Sequence, residues 1–296
     1  MKSPLLIFLA AAPLAAGPLV PSQVPASAKW MLHADLDAMR GSATGKHVFA
    51  RIEDEHGAQL RAMKRMFSVH PLEDLRGITL YGDGQPGRGV ALIHGNFDPA
   101  HLEDVVRAAD DHAESQHAGH VVHSWKDQGR LQHAAFANDR LLVFSRQQDL
   151  LESALDLLQA KTPAAAEPFF AEAGGNPLLA ASASLAAIDM PADAARLVRM
   201  ARTLRLAANE HDGRFSLRVQ AETADGKDAD KLRRMLDGVI AFAQVSDAKF
   251  DGLDLQSQLT TPGNPPSLAA AVSLPVAEWI TLMERAEAEN ARKDER

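Results

Sequence analysis

Cysteine is absent from the 296 residues, and with it go disulfide frameworks, thiolate metal cages, iron–sulfur clusters and cysteine nucleophiles. Any catalysis must use oxygen and nitrogen groups. Tyrosine occurs once and tryptophan three times, leaving few platforms on which bases could stack. Basic charge is short as well. The 31 Lys and Arg stand against 39 Asp and Glu, a formal charge of −8, which works against a phosphate-backbone partner. Nucleic acid is not expected. What is present is a composition 46% hydrophobic and 24% charged, ordinary for a globular chain and away from the disordered corner. The length allows one large domain or two lobes with a core each.

Lys2 precedes an apolar run, Pro4–Ala12, and small residues continue to Ala26-Ser27-Ala28, an A-x-A cleavage pattern. Residues 1–28 read as a secretory signal peptide, so the chain is expected to be exported, periplasmic or secreted. The apolar stretch is interrupted by Pro4, Pro13 and Pro18 and falls short of the ~20 residues that a bilayer span needs. No membrane span is expected in the mature chain. Without cysteine there is no lipid attachment either.

From Trp30 the pattern changes to alternating runs and helical stripes. Trp30–Asp37 alternates as a strand, with Leu32, Ala34 and Leu36 on one face and His33, Asp35 and Asp37 on the other. Phe49, Ile52, His56, Leu60, Met63 and Phe67 form one helical stripe, which places His56 in or beside the core. A hairpin around Asp83–Gly87 follows, then a helix capped by Asp98 with Leu102, Val105, Val106 and Ala109 as its buried stripe. Strands at His120–Trp125, Arg130–Ala137 and Arg140–Ser145 precede a helix carrying Leu151, Ala154, Leu155 and Leu158. Breakers gather between Pro163 and Pro177. Beyond them the order restarts: a strand near Leu178–Ile188, a short helix at Ala192–Ala201, a hairpin around His211-Asp212-Gly213, and a helix burying Leu232, Met235, Leu236, Val239 and Ile240. Two more strands and a helix with Val276, Trp279, Ile280 and Met283 close the chain. Trp125 and Trp279 read as packing anchors.

The expected fold is α+β, with two similar lobes. Each has an antiparallel or mixed sheet with helices packed on one face, of the split βαβ, ferredoxin-like type. The expected divisions are a signal peptide at 1–28, a first lobe at 29–163, a boundary segment at 164–177 and a second lobe at 178–296. The repeat is one of element order, an internal duplication with little residue identity between halves.

Trp30–Ala38, His123-Ser124-Trp125-Lys126-Asp127 and the passage Leu142–Lys161 together resemble signal-bearing bacterial proteins of unknown function with a duplicated α+β body. The resemblance covers much of 30–161. It implies no activity and transfers no catalytic residue.

Eleven of the twelve histidines lie between His33 and His133. The densest group is His112, His117, His120 and His123, with Asp110 and Asp111 before it. Imidazole and carboxylate suit Zn, Ni or Cu, yet spacings of five, three and three match neither a helix nor one strand face. His120 and His123 should face opposite sides, and a turn at Lys126–Gly129 would set His123 across from Gln132. Weak Zn or Ni capture is expected, with no tight site and no cofactor. His33, Asp35 and Asp37 are the alternative set, sharing a strand face; the plain reading has Asp37 capping the following turn. Their D-x-D resembles haloacid-dehalogenase-type phosphotransferases, but Ala38-Met39-Arg40-Gly41 replaces the threonine-containing turn. Gly82–Gly89 and Gly41–Lys46 lack nucleotide-binding registers, and no serine sits in a G-x-S-x-G elbow. These absences favour a non-enzymatic binding or interaction protein of the cell envelope, its partner an envelope protein or small ligand. The alternative is an exported metal-dependent hydrolase using His and carboxylate groups of the first lobe.

Overall fold

A computed structural model describes residues 17–160, 177–185, 200–246, 256–261 and 266–294, with the backbone alone at 239–246, 256–259 and 289–294. Residues 164–176 of the boundary segment expected at 164–177, and most of the short helix expected at 192–201, lie outside these residues. The fold is α+β, built on one large antiparallel sheet with seven described helices.

Strand β1 (Trp30–Asp35) runs into α1 (Leu36–Gly41), α2 (Ala43–Phe67) and α3 (Pro71–Asp74). Then come β2 (Leu75–Gly82), β3 (Gly89–Gly95), α4 (Pro99–Arg107), β4 (Ala113–His117), β5 (His120–Asp127), β6 (Arg130–Asn138), β7 (Leu141–Ser145) and α5 (Gln148–Gln159). The rest comprises β8 (Leu179–Ser184), β9 (Ala201–His211), β10 (Arg214–Thr223), α6 (Gly226–Ser246), β11 (Gln256–Thr260), β12 (Ser267–Pro275) and α7 (Val276–Asp294). Spatial order is β11-β12-β10-β9-β8-β1-β2-β3-β7-β6-β5-β4, and every neighbouring pair is antiparallel. Crossovers of the split βαβ type are therefore missing among the described residues. In their place, α4 carries the chain out to the β4 edge, from which it meanders back to pair β7 with β3. On the other side α6 leads to the β11 edge, and β12 returns to β10. The halves join without a gap where β1 lies between β2 and β8, with Leu32 opposite Leu80 on one side and Ala181 on the other.

Because side chains alternate across a strand, these registers sort the sheet into two faces. Ile93, Phe144, Ala134 and His123 share one with Leu204, Phe215 and Leu274. Helices α1, α2, α4, α6 and α7 cover that face. The opposite face carries Leu92, Val143 and Val122, and α5 packs there through Leu151, Ala154 and Leu155. Helices on one side only were expected; the first half has them on both. The reason is that its strands are apolar on both faces, so each needs a cover.

Ser42 caps α2 by accepting from Gly45 N–H at 2.9 Å, and Glu210 of β9 accepts from the Ala43 and Thr44 N–H groups at 2.7 and 2.8 Å. Burial would raise the Glu210 pKa, but these bonds to a helix N-terminus outweigh it and hold the carboxyl low. Helix α2 thereby docks on the second half of the sheet and packs mainly on α1, α3, α4 and α7. His56 is exposed rather than part of the core. Of the stripe expected on α6, Leu232 is buried and Leu236 packs beside it, whereas Met235 is 50% exposed. The side chains of Val239 and Ile240 lie outside the described residues.

Residues 17–28, read from the sequence as the end of a leader, lie against the α5 face. A 3-10 turn at Pro21–Gln23 packs on α5, Leu19, Val24 and Ala28 join the core, and Gln23 Oε1 lies 3.0 Å from His94 Nε2. Gly17 meets Gly77 backbone to backbone; a Cβ on Gly77 would stand 2.6 Å from the Gly17 carbonyl oxygen, so neither position has room for a side chain.

Leu155 is fully buried. Leu155→Ala should cost about 3 kcal/mol in denaturant unfolding, against under about 0.5 kcal/mol for Met235→Ala on the open face of α6. Equal losses would contradict the packing. A chain starting at Lys29 should be about 2 kcal/mol less stable than one starting at Gly17, because it loses the apolar cover and the His94 partner. Identical melting of the two would show that residues 17–28 contribute nothing.

Candidate functional site

Helix α4 starts at Asp98, whose carboxylate accepts from His101 N–H at 3.2 Å, and His101 Nε2 lies 3.0 Å from the Met66 carbonyl oxygen. The helix is thus tied to the end of α2. Its apolar stripe, Leu102, Val105 and Val106, was expected to be buried, yet no residue of α4 is fully buried. The stripe faces a cavity. Since α2 rests on other helices, its Met63, Met66 and Phe67 stand off the sheet and border a half-open cavity of about 720 Å³ above Ile93, Leu142, Phe144, Ala134 and Phe136. Met63 and Met66 are 42% and 58% exposed and form part of its rim. Trp125 lies in the wall beside Phe144, ring centroids 6.2 Å apart. Polar groups are few: Glu103, His123, Lys126 and Asp127.

The four clustered histidines separate by strand parity. In the β4–β5 hairpin His117 pairs with His120 and Glu114 with His123. The tight turn between is Ala118-Gly119, both at positive φ. His117 and His120 go to the α5 face, where His117 Nε2 lies 2.8 Å from Asp156 Oδ1 and His120 Nε2 lies 3.2 Å from Gln159 Nε2. His123 goes to the α4 face and meets His112, with His112 Nε2 3.2 Å from His123 Nδ1 and Glu114 Oε1 3.6 Å from that nitrogen. Among the described residues these three are the one His/Asp/Glu group whose ligand atoms all lie within 4.8 Å of one another. His120 and His123 do face opposite sides. The β5–β6 register differs from the expected one, since the turn is the two-residue Gln128-Gly129, both at positive φ, and His123 pairs with Ala134 rather than Gln132. Glu114 escaped the sequence reading because β4 is exposed along most of its length and shows no alternation.

His33, Asp35 and Asp37 do not converge. His33 Nδ1 lies 2.9 Å from Thr79 Oγ1; Asp35, rather than Asp37, caps α1 by accepting from Ala38 N–H at 2.8 Å; Asp37 pairs with Arg40 and Arg76. The strand ends at Asp35, so Asp37 has already turned into the helix. Trp279 stacks flat on Phe215, centroids 4.1 Å apart.

Burial pushes the His33 imidazole down to about 4, with the Gly17 backbone opposing this and His94 adding to it. Burial likewise lowers His94, His123 and His133. Burial raises the Asp35 carboxyl, which works the other way at the acid end.

No protein-family model matches the chain, and no curated protein matches it. Solved structures do. Crystal forms III and IV of TP0453 superpose with TM-scores of 0.52 and 0.51 at 10% and 9% identity, each covering 90% of this chain and 97% of that one. At such identity the likeness is one of fold alone. Among the described residues no helix is long and apolar enough to cross a membrane.

A buried histidine with a depressed pKa stays neutral in the folded chain while its unfolded counterpart takes up a proton below about 6.5. Stability should therefore fall as pH drops from about 6.5 towards 4, His33 alone contributing on the order of 3 kcal/mol by the lower limit. Chemical unfolding at pH 7, 6 and 5 should show this decline, made shallower by His33→Gln. A variant with the wild-type slope would remove His33 from the explanation.

Proposed function

We propose that the chain is a non-enzymatic binding protein that takes an apolar small molecule into the cavity between α2, α4 and strands β3, β5, β6 and β7. The observation that carries this is the cavity itself. Its volume, about 720 Å³, lies in the range of small-molecule sites, and its lining is apolar and aromatic with a few polar groups at one side. The methionines at its rim are flexible enough to admit ligands of varied outline. A narrow, branched substrate pocket would need more fixed polar groups than these.

The leader pattern supports export, and the packing of residues 17–28 supports processing ahead of Gly17 rather than after Ala28. An envelope compartment is the setting inferred from it. The two halves, 29–163 and 178–296, are inferred to be copies of one unit, since in each a helix follows three antiparallel strands, reaches the outer edge and is followed by a return meander. An exported metal-dependent hydrolase is the second reading, and the observation favouring it is the approach of His112, Glu114 and His123.

The test uses the full chain and a naphthalene-sulfonate dye that brightens in apolar surroundings, displaced by a long-chain alkyl alcohol, with Trp125 as intrinsic reporter. Saturable binding with one site per chain is expected, weakened more than about 10-fold by Ala134→Trp, which fills the floor of the cavity. Unsaturable binding, or binding that Ala134→Trp leaves intact in a folded variant, would refute the proposal.

A further inference from the structure

The pairing of β4 with β5 produces a second feature, distinct from the apolar cavity although His123 belongs to both. We propose that His112, Glu114 and His123 form a binding site for one divalent transition metal ion of the zinc class. Bonds of about 2.0–2.1 Å to a tetrahedral ion place neighbouring ligand atoms roughly 3.3 Å apart. The separations of 3.2 Å between His112 Nε2 and His123 Nδ1, and 3.6 Å between His123 Nδ1 and Glu114 Oε1, lie on either side of that edge. The third separation, between His112 and Glu114, is within 4.8 Å, so an ion can enter once these two side chains close in on it.

Two imidazoles and one carboxylate are three protein ligands, which leaves a fourth position for water or another donor. Burial differs usefully among them: His123 is 3% exposed and fixed in the sheet, while His112 is partly exposed and Glu114 exposed, so the ion has a path in from solvent. The surroundings favour a cation. Arg107 donates to Glu103, Asp104 and Glu114 at once, so one guanidinium faces three carboxylates and a divalent ion offsets the remaining negative charge. Glu114 Oε1 accepts from Arg107 Nε at 2.8 Å; with its two other carboxylates, Arg107 can share or release Glu114 without losing its partners. On the opposite face His117 already has Asp156 and His120 has the Phe136 carbonyl, and no third ligand joins them there among the described residues.

The experiment is calorimetric titration of Zn²⁺ into the full, tag-free, metal-stripped chain, with Co²⁺ absorption reporting ligand geometry. One equivalent is expected, with the intense visible absorption of a tetrahedral Co²⁺ site. His112→Ala and Glu114→Gln, both outside the core, should each weaken binding more than about 10-fold, while His117→Ala and His120→Ala leave it unchanged. Circular dichroism of each variant separates loss of a ligand from loss of fold. Binding that survives His112→Ala and Glu114→Gln, or that His117→Ala and His120→Ala abolish, would overturn the assignment. So would weak binding of several ions with no tetrahedral Co²⁺ spectrum.

Discussion

A side chain on an antiparallel strand has only two directions to point, and a single continuous sheet applies that choice to the whole molecule. The register at β1, held on one side by β2 and on the other by β8, puts the apolar sets of both halves in phase. A one-residue slip at that junction would turn every side chain of one half to the wrong cover. The same parity decides the histidines: the pairing of Glu114 with His123 and of His117 with His120 sends two ligand candidates to α4 and two to α5.

The cavity follows from how α2 is supported. Its N-terminus is held by Glu210 from β9 and Arg51 reaches Glu287 of α7 at 3.3 Å. Its far end is fastened to α4 by His101. Supported at both ends by neighbours, α2 spans part of the sheet without settling on it. The space is open to solvent on the side of Met63 and Met66, so it is a pocket between α2, α4 and the sheet and not a void inside a packed core. Here α4 meets the sheet mainly at β5, and the rest of its stripe, Leu102, Val105 and Val106, lines the open space instead of filling it.

Polarity is uneven across the α5 face. Near β1 to β3 it buries His33, His94, Tyr81 and Asp35, and burial holds the two imidazoles neutral while raising Tyr81 and Asp35. Further along, β10 turns Ser216, Arg218, Gln220 and Glu222 to that side, with Glu222 bonded to Arg205 of β9. The buried polar groups near β1 are covered in part by residues 17–28. That segment is therefore tied to the titration behaviour of the region as well as to its packing.

By itself the sequence determined most of the elements, because their signals are local: alternation in β5, β6 and β7, the Asp98 cap of α4, the Leu151–Leu155 stripe, and the turn residues between strands. The absence of cysteine excluded disulfides, thiolate metal cages and cysteine nucleophiles without any structure. Tertiary structure alone decided what those elements enclose. The stripe of α4 reads the same whether it meets a strand or an empty space, and only the seating of α2 on Glu210 and α7 leaves it facing a cavity. Likewise, His112 and Glu114 stand two residues apart, as on one strand face, but His123 is nine residues further along and nothing local ties it to them. Their approach depends on the Ala118-Gly119 turn, which sets the one register in which Glu114 stands beside His123.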